Sequence, residues 1–283
     1  GRTLTWWLGA NFLKGGVVAA RAVTTVSPTH AVELTEDATS FGLGQVMRGL
    51  PQPIVGILNG IDQESWDPAR DASLPARFSA RSPQRRTANR RELLRLTGLE
   101  DGVLFGNVGR MSHQKGLSLV EYYIDGLVSE GFRLVLVGNG ELDPMVDDWV
   151  ARHPDAIAHL PYSEPLARLV SAGADAYLMP SEFEPSGLGQ LYAMRYGCPP
   201  LVYATGGLAD SVVDIDEDPA RGNGFVFRTF NAEDFTKTVR RAMHYRTGIP
   251  SLWRSLQVAG MTADWSWDAR AAEYEAVFAT AVA

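Results

Sequence analysis

Two cations stand close together in a stretch that the sequence places between a buried strand and a helix. Arg110 and Lys115 lie in residues 109–116, directly after the apolar run 103–108. Taken singly, either could be an ordinary solvated surface charge. Taken together, beside the free N–H groups of a helix N-terminus, they supply what two linked phosphate groups need. This loop is therefore a candidate diphosphate clamp.

A carboxylate opens the densest polar stretch of the chain, residues 180–197. Glu184 precedes a turn that contains Ser186 and Gly187, and a helical pattern follows from Leu188. Amide donors at the start of that helix would face the same cleft as the carboxylate, so an anion should bind there. The alternative that Glu184 only caps a helix remains open.

Two further loops carry residues that suit a nucleotide ligand. Tyr162 follows the apolar run 157–160. Its ring could stack on a purine, or it could simply pack under a loop. The turn formed by Thr205, Gly206 and Gly207 follows another apolar run, and its glycines would let backbone N–H groups approach a ligand closely.

Other nucleotide-binding motifs receive little support. The stretch 138–140 is Gly-Asn-Gly after an apolar run, but it lacks the third glycine of the dinucleotide fingerprint. No Gly-x-x-x-x-Gly-Lys-Ser/Thr sequence occurs in the chain. The sequence therefore argues against an NAD enzyme and against a P-loop NTPase.

These loops alternate with strand and helix patterns from about residue 100 onward. Apolar runs predict strands at 103–108, 133–137, 157–160, 176–179, 201–203 and 225–227. Amphipathic patterns predict helices at 88–96, 117–129, 142–152, 165–172, 188–196 and 232–244. This order favours an α/β fold with a doubly wound, Rossmann-like parallel sheet. In such a sheet, ligands bind at the carboxyl ends of the strands, where all the candidate loops lie.

The first sixty residues do not show the alternating strand and helix pattern of such a sheet. The sequence predicts a helix at 11–21, a strand at 22–26 and a second helix at 28–34, but offers that strand no sheet of its own. Residues 63–90, rich in Asp, Ala, Pro, Ser and Arg, predict an exposed connector.

Composition limits the classes of partner and the compartment. The 283 residues carry a formal net charge of −7, which gives no general attraction for nucleic acid or anionic lipid. Cys198 is the only cysteine, so no intrachain disulfide can form. The sequence also shows no apolar run long enough for a bilayer and no signal-peptide pattern. We expect a cytoplasmic protein without nucleic-acid or membrane partners.

Several ordered motifs resemble one family. Glu-Pro-Ser-Gly-Leu at 184–188 and Thr-Gly-Gly-Leu-Ala-Asp at 205–210 look like the corresponding motifs of bacterial glycogen synthases and plant starch synthases, which have the two-lobed GT-B fold. Phe-Leu-Lys-Gly-Gly at 12–16, Thr-Thr-Val-Ser-Pro-Thr at 24–29, Leu-Asn-Gly-Ile-Asp at 58–62 and Trp-Asp-Pro at 66–68 resemble the same family in the same order. The similarity covers nearly the whole chain.

The resemblance implies transfer of glucose from ADP-glucose to an α-1,4-glucan with retention of configuration and without a metal. Arg110 and Lys115 would hold the diphosphate, and Glu184 would bind glucose hydroxyls together with the backbone of Gly187 and Leu188. Tyr162 would stack on adenine, and Asn59 would face the sugar nucleotide at a hinge. The remaining implied pocket residues are Thr205, Gly206, Gly207 and Ser186.

Two positions depart from the family pattern, and a third separates the chain from neighbouring families. Glu182 stands where Arg is usual and Ser186 where Cys is usual, which predicts altered affinity more than lost chemistry. Tyr192 stands where neighbouring GT-B families carry a second glutamate, which disfavours those families. A non-catalytic ADP-sugar or glucan-binding module is the alternative from a different class.

The family resemblance also predicts a division of the chain. Residues 1–55 would be a remnant of the N-terminal, acceptor-side lobe, 56–264 the nucleotide-sugar domain, and 265–283 a helix that crosses back to that lobe. We expect most of the first lobe to be missing, and the exposed apolar residues of the N-terminal segment to promote self-association. Catalysis by the chain alone is then not expected.

Overall fold

The computed structural model describes residues 5–6 and 9–282, with side chains from Asn11 to Val282. Its strands are β1 Thr5–Trp6, β2 Gly9–Ala10, β3 Thr24–Thr25, β4 Val55–Gly56, β5 Val103–Val108, β6 Phe132–Val137, β7 Ile157–Leu160, β8 Ala176–Met179, β9 Pro200–Tyr203 and β10 Phe225–Phe227. All six strands that the sequence predicts from residue 103 onward are therefore present, with ends that agree to within one residue.

A helix follows each of the strands β5 to β10, and other helices lie before and after this series. They are α1 Phe12–Ala19, α2 Pro28–Glu33, α3 Gly44–Arg48, α4 Arg86–Thr97, α5 Ser118–Glu121, α6 Ile124–Ser129, α7 Asp143–Arg152, α8 Glu164–Gly173, α9 Gly189–Arg195, α10 Gly206–Ser211, α11 Ala232–Gly248, α12 Pro250–Thr262 and α13 Trp267–Val282. Short 3-10 helices occupy Pro83–Arg85 and His113–Lys115.

Strands β5 to β10 form one six-stranded sheet in the order β10-β9-β8-β5-β6-β7. Every pairing in it is parallel. From β5 the chain adds strands toward one edge up to β7, then returns and adds β8, β9 and β10 on the other side. This is the Rossmann order, and it confirms the predicted doubly wound fold. The order reverses between β5 and β8, which lie side by side at the switch point.

Two apolar layers cover the two faces of the sheet. Because successive strand residues point to opposite faces, Leu104 packs in one layer and Phe105 in the other. The layer with Phe105 contains residues of α6, α7, α11 and α12, and the layer with Leu104 contains residues of α4, α8, α9 and α10. The near-continuous apolar strands are what burial on both faces requires.

The earlier part of the described chain lies against this domain. Strands β3 and β4 pair in parallel as a separate two-stranded sheet, which gives the predicted strand near residue 24 its partner. Helix α2 packs on α10. At the other end, Ile61 bridges to Ser266 and Arg21 donates to the carbonyl of Ala281 at 2.9 Å. The proposed boundaries near residues 55 and 264 remain predictions.

Some helix predictions were wrong in detail. The predicted helix 117–129 is two helices, α5 and α6, because the backbone of Tyr123 (φ −131°, ψ 10°) leaves the helical region. Helices α3, α10 and α12 were not predicted. Among the described residues there is no helix with the length and apolar content that crossing a membrane requires.

Candidate functional site

The switch point brings together the two loops with the strongest chemical signal. Lys115 follows β5 and Glu184 follows β8, the two strands at which the sheet order reverses. Their side chains form an ion pair, with Lys115 Nζ 2.5 Å from Glu184 Oε2. Both side chains are largely shielded from solvent, at 22% and 12% exposure. A residue pair predicted to act on one ligand is therefore in direct contact.

Backbone contacts hold these loops against each other. Gln114 Nε2 donates to the carbonyl of Phe183 at 3.0 Å, and the Glu182 N–H donates to the carbonyl of Gln114 at 3.0 Å. Gly116 has a left-handed backbone (φ +70°), and a Cβ atom there would lie only 1.9 Å from the Pro180 carbonyl oxygen. Glycine is required at this position because the two loops touch through backbone atoms.

The rim around the ion pair offers polar groups to a ligand. Arg110 is exposed, and its Nη2 lies 3.5 Å from Gln114 Oε1, so its guanidinium is open to solvent. The hydroxyls of Ser112, Ser181 and Ser186 are buried and have no hydrogen-bond partner within residues 11–282. Buried hydroxyls are normally paired, so these three are exceptions, and they lie in the loops after β5 and β8.

The Gly-Asn-Gly loop at residues 138–140 packs against the loop after β5. The Met111 N–H donates to the Asn139 carbonyl at 3.2 Å, and the Leu142 N–H donates to the Met111 carbonyl at 2.9 Å. His113 N–H donates to Glu141 Oε1 at 3.2 Å. The loop after β6 thus underlies the loop after β5 that carries Arg110 and Lys115.

The turn at 205–207 reaches the same rim, but its donors are already engaged. Thr205 Oγ1 and the Gly206 N–H both donate to Glu33 Oε1 at 2.9 Å. The Gly207 N–H donates to the carbonyls of Glu184 and Pro185, each at 3.1 Å. The assignment of Thr205, Gly206 and Gly207 to a ligand pocket remains a prediction; in this structure they bind protein groups.

Glu33 caps α10 from a distant part of the chain and joins α2 to the site. Thr29 also donates to Asp210 through its hydroxyl at 2.7 Å and its N–H at 2.8 Å, and Ser27 Oγ donates to the Pro185 carbonyl at 2.6 Å. Burial raises the pKa of the Glu33 carboxyl, but contacts with His30, Gly206 and Thr205 outweigh it and lower that pKa overall.

The stability lost when this carboxyl is replaced should depend on pH. A carboxyl whose pKa is lower in the folded state stabilises the fold above its unfolded value, near 4.5, and loses that contribution as pH falls through its folded pKa. We expect Glu33→Gln to cost about 1–2 kcal/mol at pH 7 and less as pH falls below 4.5, measured by urea denaturation. The exposed Glu36→Gln is the control and should stay within about 0.5 kcal/mol of wild type at both pH values. A Glu33→Gln cost that is unchanged at low pH would contradict the role of the charge.

The other predicted residues lie around the cleft at different distances from the pair. Tyr162 is 61% exposed at the end of β7, two strands from β5 and so roughly 10 Å away across the sheet. It borders a mainly apolar cavity of about 510 Å³ between α4 and α8. Leu188 is 38% exposed, Gly187 adopts a left-handed backbone, and Asn59 is half-buried. The structure does not bring Tyr162 into contact with Lys115.

Tyr192 belongs to a network of aromatic and charged side chains. Its ring stacks on Trp66 with centroids 3.9 Å apart, and the guanidinium of Arg168 lies 4.1 Å from the Trp66 ring centre. Arg168 Nη1 is 3.2 Å from Asp71 Oδ2, which also accepts from the Tyr196 hydroxyl at 2.6 Å. This buried network fastens residues 65–71 to α8 and α9.

Sequence reasoning missed Glu33, Gln114 and the contacts of Ser27 and Thr29. Only Ser27 carried a local signal, because a serine before Pro28 is a typical helix N-cap and its hydroxyl does accept from the His30 N–H. Among the described residues, no three His, Cys, Asp or Glu side chains come together as metal ligands would.

A doubly wound parallel sheet with a charged pair at its switch point fits one domain of a GT-B glycosyltransferase. The family model for glycosyl transferases group 1 matches residues 90–250, so the chain belongs to that family. The model for the starch synthase catalytic domain matches residues 2–49.

Within this class, two of the similar curated relatives are glycogen synthases. The chain is 44% identical to a glycogen synthase of Alkalilimnicola ehrlichii over 93% of this chain and 56% of the relative, and 41% identical to one of Paracidovorax citrulli over 98% and 56%. It thus spans about half the length of the curated relatives it matches. These similarities confirm the family resemblance read from the sequence motifs.

Solved structures agree with this placement. The catalytic domain of starch synthase IV from Arabidopsis thaliana, bound to ADP and acarbose, superimposes with a TM-score of 0.89 at 34% identity, covering 96% of this chain and 58% of that one. Sucrose-phosphate synthase from Thermosynechococcus elongatus superimposes with a TM-score of 0.66 at 17% identity, covering 98% of this chain and 63% of that one. The second match shows the shared fold alone.

Proposed function

We propose that the site at the switch point binds ADP-glucose and belongs to a glycogen or starch synthase, which transfers glucose to the non-reducing end of an α-1,4-glucan with retention of configuration. The main observation in support of this proposal is the contact of Lys115 with Glu184. The same two loops contain Arg110 and the serine hydroxyls without hydrogen-bond partners. The similarity to glycogen synthases and to an ADP-bound starch synthase supports ADP-glucose as the donor.

In this proposal the two charges have different tasks. Lys115 and Arg110 contact the diphosphate and stabilise negative charge as it leaves the sugar. Glu184 orients Lys115 and accepts hydrogen bonds from glucose hydroxyls, with Ser186 and the backbone of Leu188 beside it. Attack on the face from which the diphosphate departs gives retention. We propose that no metal is needed, because the two cations neutralise the leaving group.

The first test is binding of ADP by calorimetry. Removal of one charge-assisted contact costs about 1.5–3 kcal/mol, so Lys115→Ala should raise the dissociation constant of ADP by about 10- to 150-fold. Lys237→Ala, an exposed lysine on α11, is the control and should bind ADP as the wild type does. Unchanged ADP affinity in Lys115→Ala would remove Lys115 from the site.

A non-catalytic ADP-sugar or glucan-binding module is the second candidate, because the chain matches only 56% of the length of the relatives above. A transfer assay from ADP-glucose to glycogen, on a sample shown to bind ADP, separates the two. The same assay with UDP-glucose measures the preference between the two nucleotide donors.

The partners that we propose are ADP-glucose, ADP and an α-1,4-glucan, with no nucleic acid or membrane. We also propose a cytoplasmic location and self-association through the N-terminal segment, where Phe12 is 85% and Leu13 64% exposed.

A further inference from the structure

A charged cavity lies at the amino ends of the sheet strands, whereas Lys115 and Glu184 lie at their carboxyl ends. It has a volume of about 210 Å³, smaller than the usual site for a drug-sized ligand. Its lining includes Arg86, Arg90, Arg246 and Asp175. Asp175 directly precedes β8, so the cavity opens at the amino ends of the strands.

Positive charge exceeds negative charge in this cavity. Arg246 Nε donates to Asp175 Oδ1 at 2.6 Å, and Arg90 Nη1 lies 3.6 Å from Asp175 Oδ2. Asp175 Oδ2 already accepts from the Leu104 N–H at 2.9 Å. Asp101, just outside the cavity, accepts from Arg90 Nη2 at 2.5 Å. Three guanidinium groups thus share two carboxylates, which leaves an excess of one positive charge.

Some donors of these arginines are not used. Arg86 is 6% exposed and donates through Nη2 to the carbonyls of Ser171 and Ala174 at 2.9 and 2.7 Å. Arg86 Nε and Arg90 Nη1 are buried and have no hydrogen-bond partner in the part of the chain that the structure describes. Arg90 Nη1 has only the 3.6 Å ion pair with Asp175 described above. Buried charged donors without a hydrogen bond are costly, so an acceptor that reached them would stabilise them.

Two helix N-termini also line the cavity. Helix α4 begins at Arg86 with 12 residues, and α12 begins at Pro250 with 13. Neither has a side-chain cap or an acidic residue in its first turn. Helix α4 continues the 3-10 helix Pro83–Arg85, and its Arg86 N–H donates to the carbonyls of Pro83 and Gln84. The positive dipole ends of both helices add to the arginine charges.

We propose that this cavity binds a small anion of the phosphate class, either inorganic phosphate or a compact phosphate monoester. The tetrahedral oxygens of such an anion match the guanidinium and N–H donors, whereas the cavity is too small for a nucleotide sugar. The site is distinct from the proposed donor site because the sheet separates them. Bound anion would tie α4 and α12 to the start of β8, the strand that leads to Glu184.

The test is denaturation of the chain at increasing inorganic phosphate, with ionic strength held constant by sodium chloride. A ligand that binds only the folded state raises stability in a saturable way. We expect this for wild type and equally for Lys115→Ala, whereas Arg246→Gln should raise the dissociation constant for phosphate at least about tenfold. Equal phosphate affinity in wild type and Arg246→Gln, or loss of the response in Lys115→Ala, overturns the proposal.

A second variant distinguishes loss of phosphate binding from loss of folding. Thr87 is exposed in the first turn of α4 and lines the cavity. Thr87→Glu adds a carboxylate that suits a helix N-terminus but repels an anion. We expect a fold at least as stable as wild type without phosphate, and no phosphate response; a full response contradicts the site. Titration of the wild type with glycerol phosphate then distinguishes the two candidate ligands. Tighter binding than that of inorganic phosphate assigns the site to a phosphate monoester, and weaker binding assigns it to inorganic phosphate.

Discussion

Gly116→Ala should destabilise the protein by about 2–5 kcal/mol and abolish measurable ADP binding. A left-handed backbone costs an alanine about 1–2 kcal/mol, and overpacking adds about 1–3 kcal/mol. The clash is with the backbone oxygen of Pro180, 1.9 Å from the added Cβ, so no rotation of a side chain relieves it. The loops after β5 and β8 must separate, which pulls Lys115 away from Glu184.

Gly98→Ala isolates the contribution of the contact. Gly98 ends α4 with nearly the same backbone angle, φ +72°, but no atom lies within 4 Å of the added Cβ. This variant should be destabilised by only about 1–2 kcal/mol, the cost of backbone strain, and should keep the ADP affinity of the wild type. Urea denaturation and calorimetry on both variants measure the difference. Equal stability of the two would show that the contact between the loops is unimportant.

Arg168→Met should cost about 3–5 kcal/mol. Arg168 and Asp71 are both buried, at 8% and 9% exposure, and removal of the cation leaves a buried carboxylate with only hydroxyl and N–H partners. The stacking on Trp66 is lost as well. Residues 65–71 should then detach from α8, which amide hydrogen exchange would detect together with the lowered stability.

Arg152→Met is the matched control for burial. Arg152, like Arg168, forms ion pairs with carboxylates. Its partners are Glu121, Asp125 and Asp148, but its side chain is 34% exposed and the carboxylates are more so. Exposed ion pairs contribute at most about 1 kcal/mol, so this variant should be nearly neutral. In the buried case, Asp71→Asn added to Arg168→Met should recover part of the loss, because it removes the unpaired charge. Equal losses of stability in Arg168→Met and Arg152→Met would contradict the role of burial in the Arg168 network.

The sheet was predictable because each strand carries its own signal. The run Val103–Val108 is apolar apart from Asn107 and is followed by Gly109, a pattern typical of a strand that is buried on both faces. The places of Lys115 and Glu184 at strand ends followed from the same pattern. Their contact depended on β8 lying next to β5, a consequence of the doubly wound order that the local sequence does not carry.

Features that depend on distant residues escaped prediction. Gly206 and Gly207 read as a turn, yet they begin helix α10 because Glu33, 172 residues away from Thr205, caps it. Helix propensity is weak there and a tertiary contact decides the outcome. The role of the Gly-Asn-Gly loop was unpredictable for a similar reason, since its partners are backbone groups of the neighbouring loop.

That stacking of one loop on another limits how donor preference can be redesigned. The Met111 N–H and carbonyl both bind the loop after β6, while Gln114 and Gly116 meet the loop after β8. Grafting residues 109–116 alone from another glycosyltransferase would therefore introduce mismatched backbone on two sides. The exchangeable unit is the set of three loops, and libraries that vary them jointly should yield folded variants far more often than libraries that vary one.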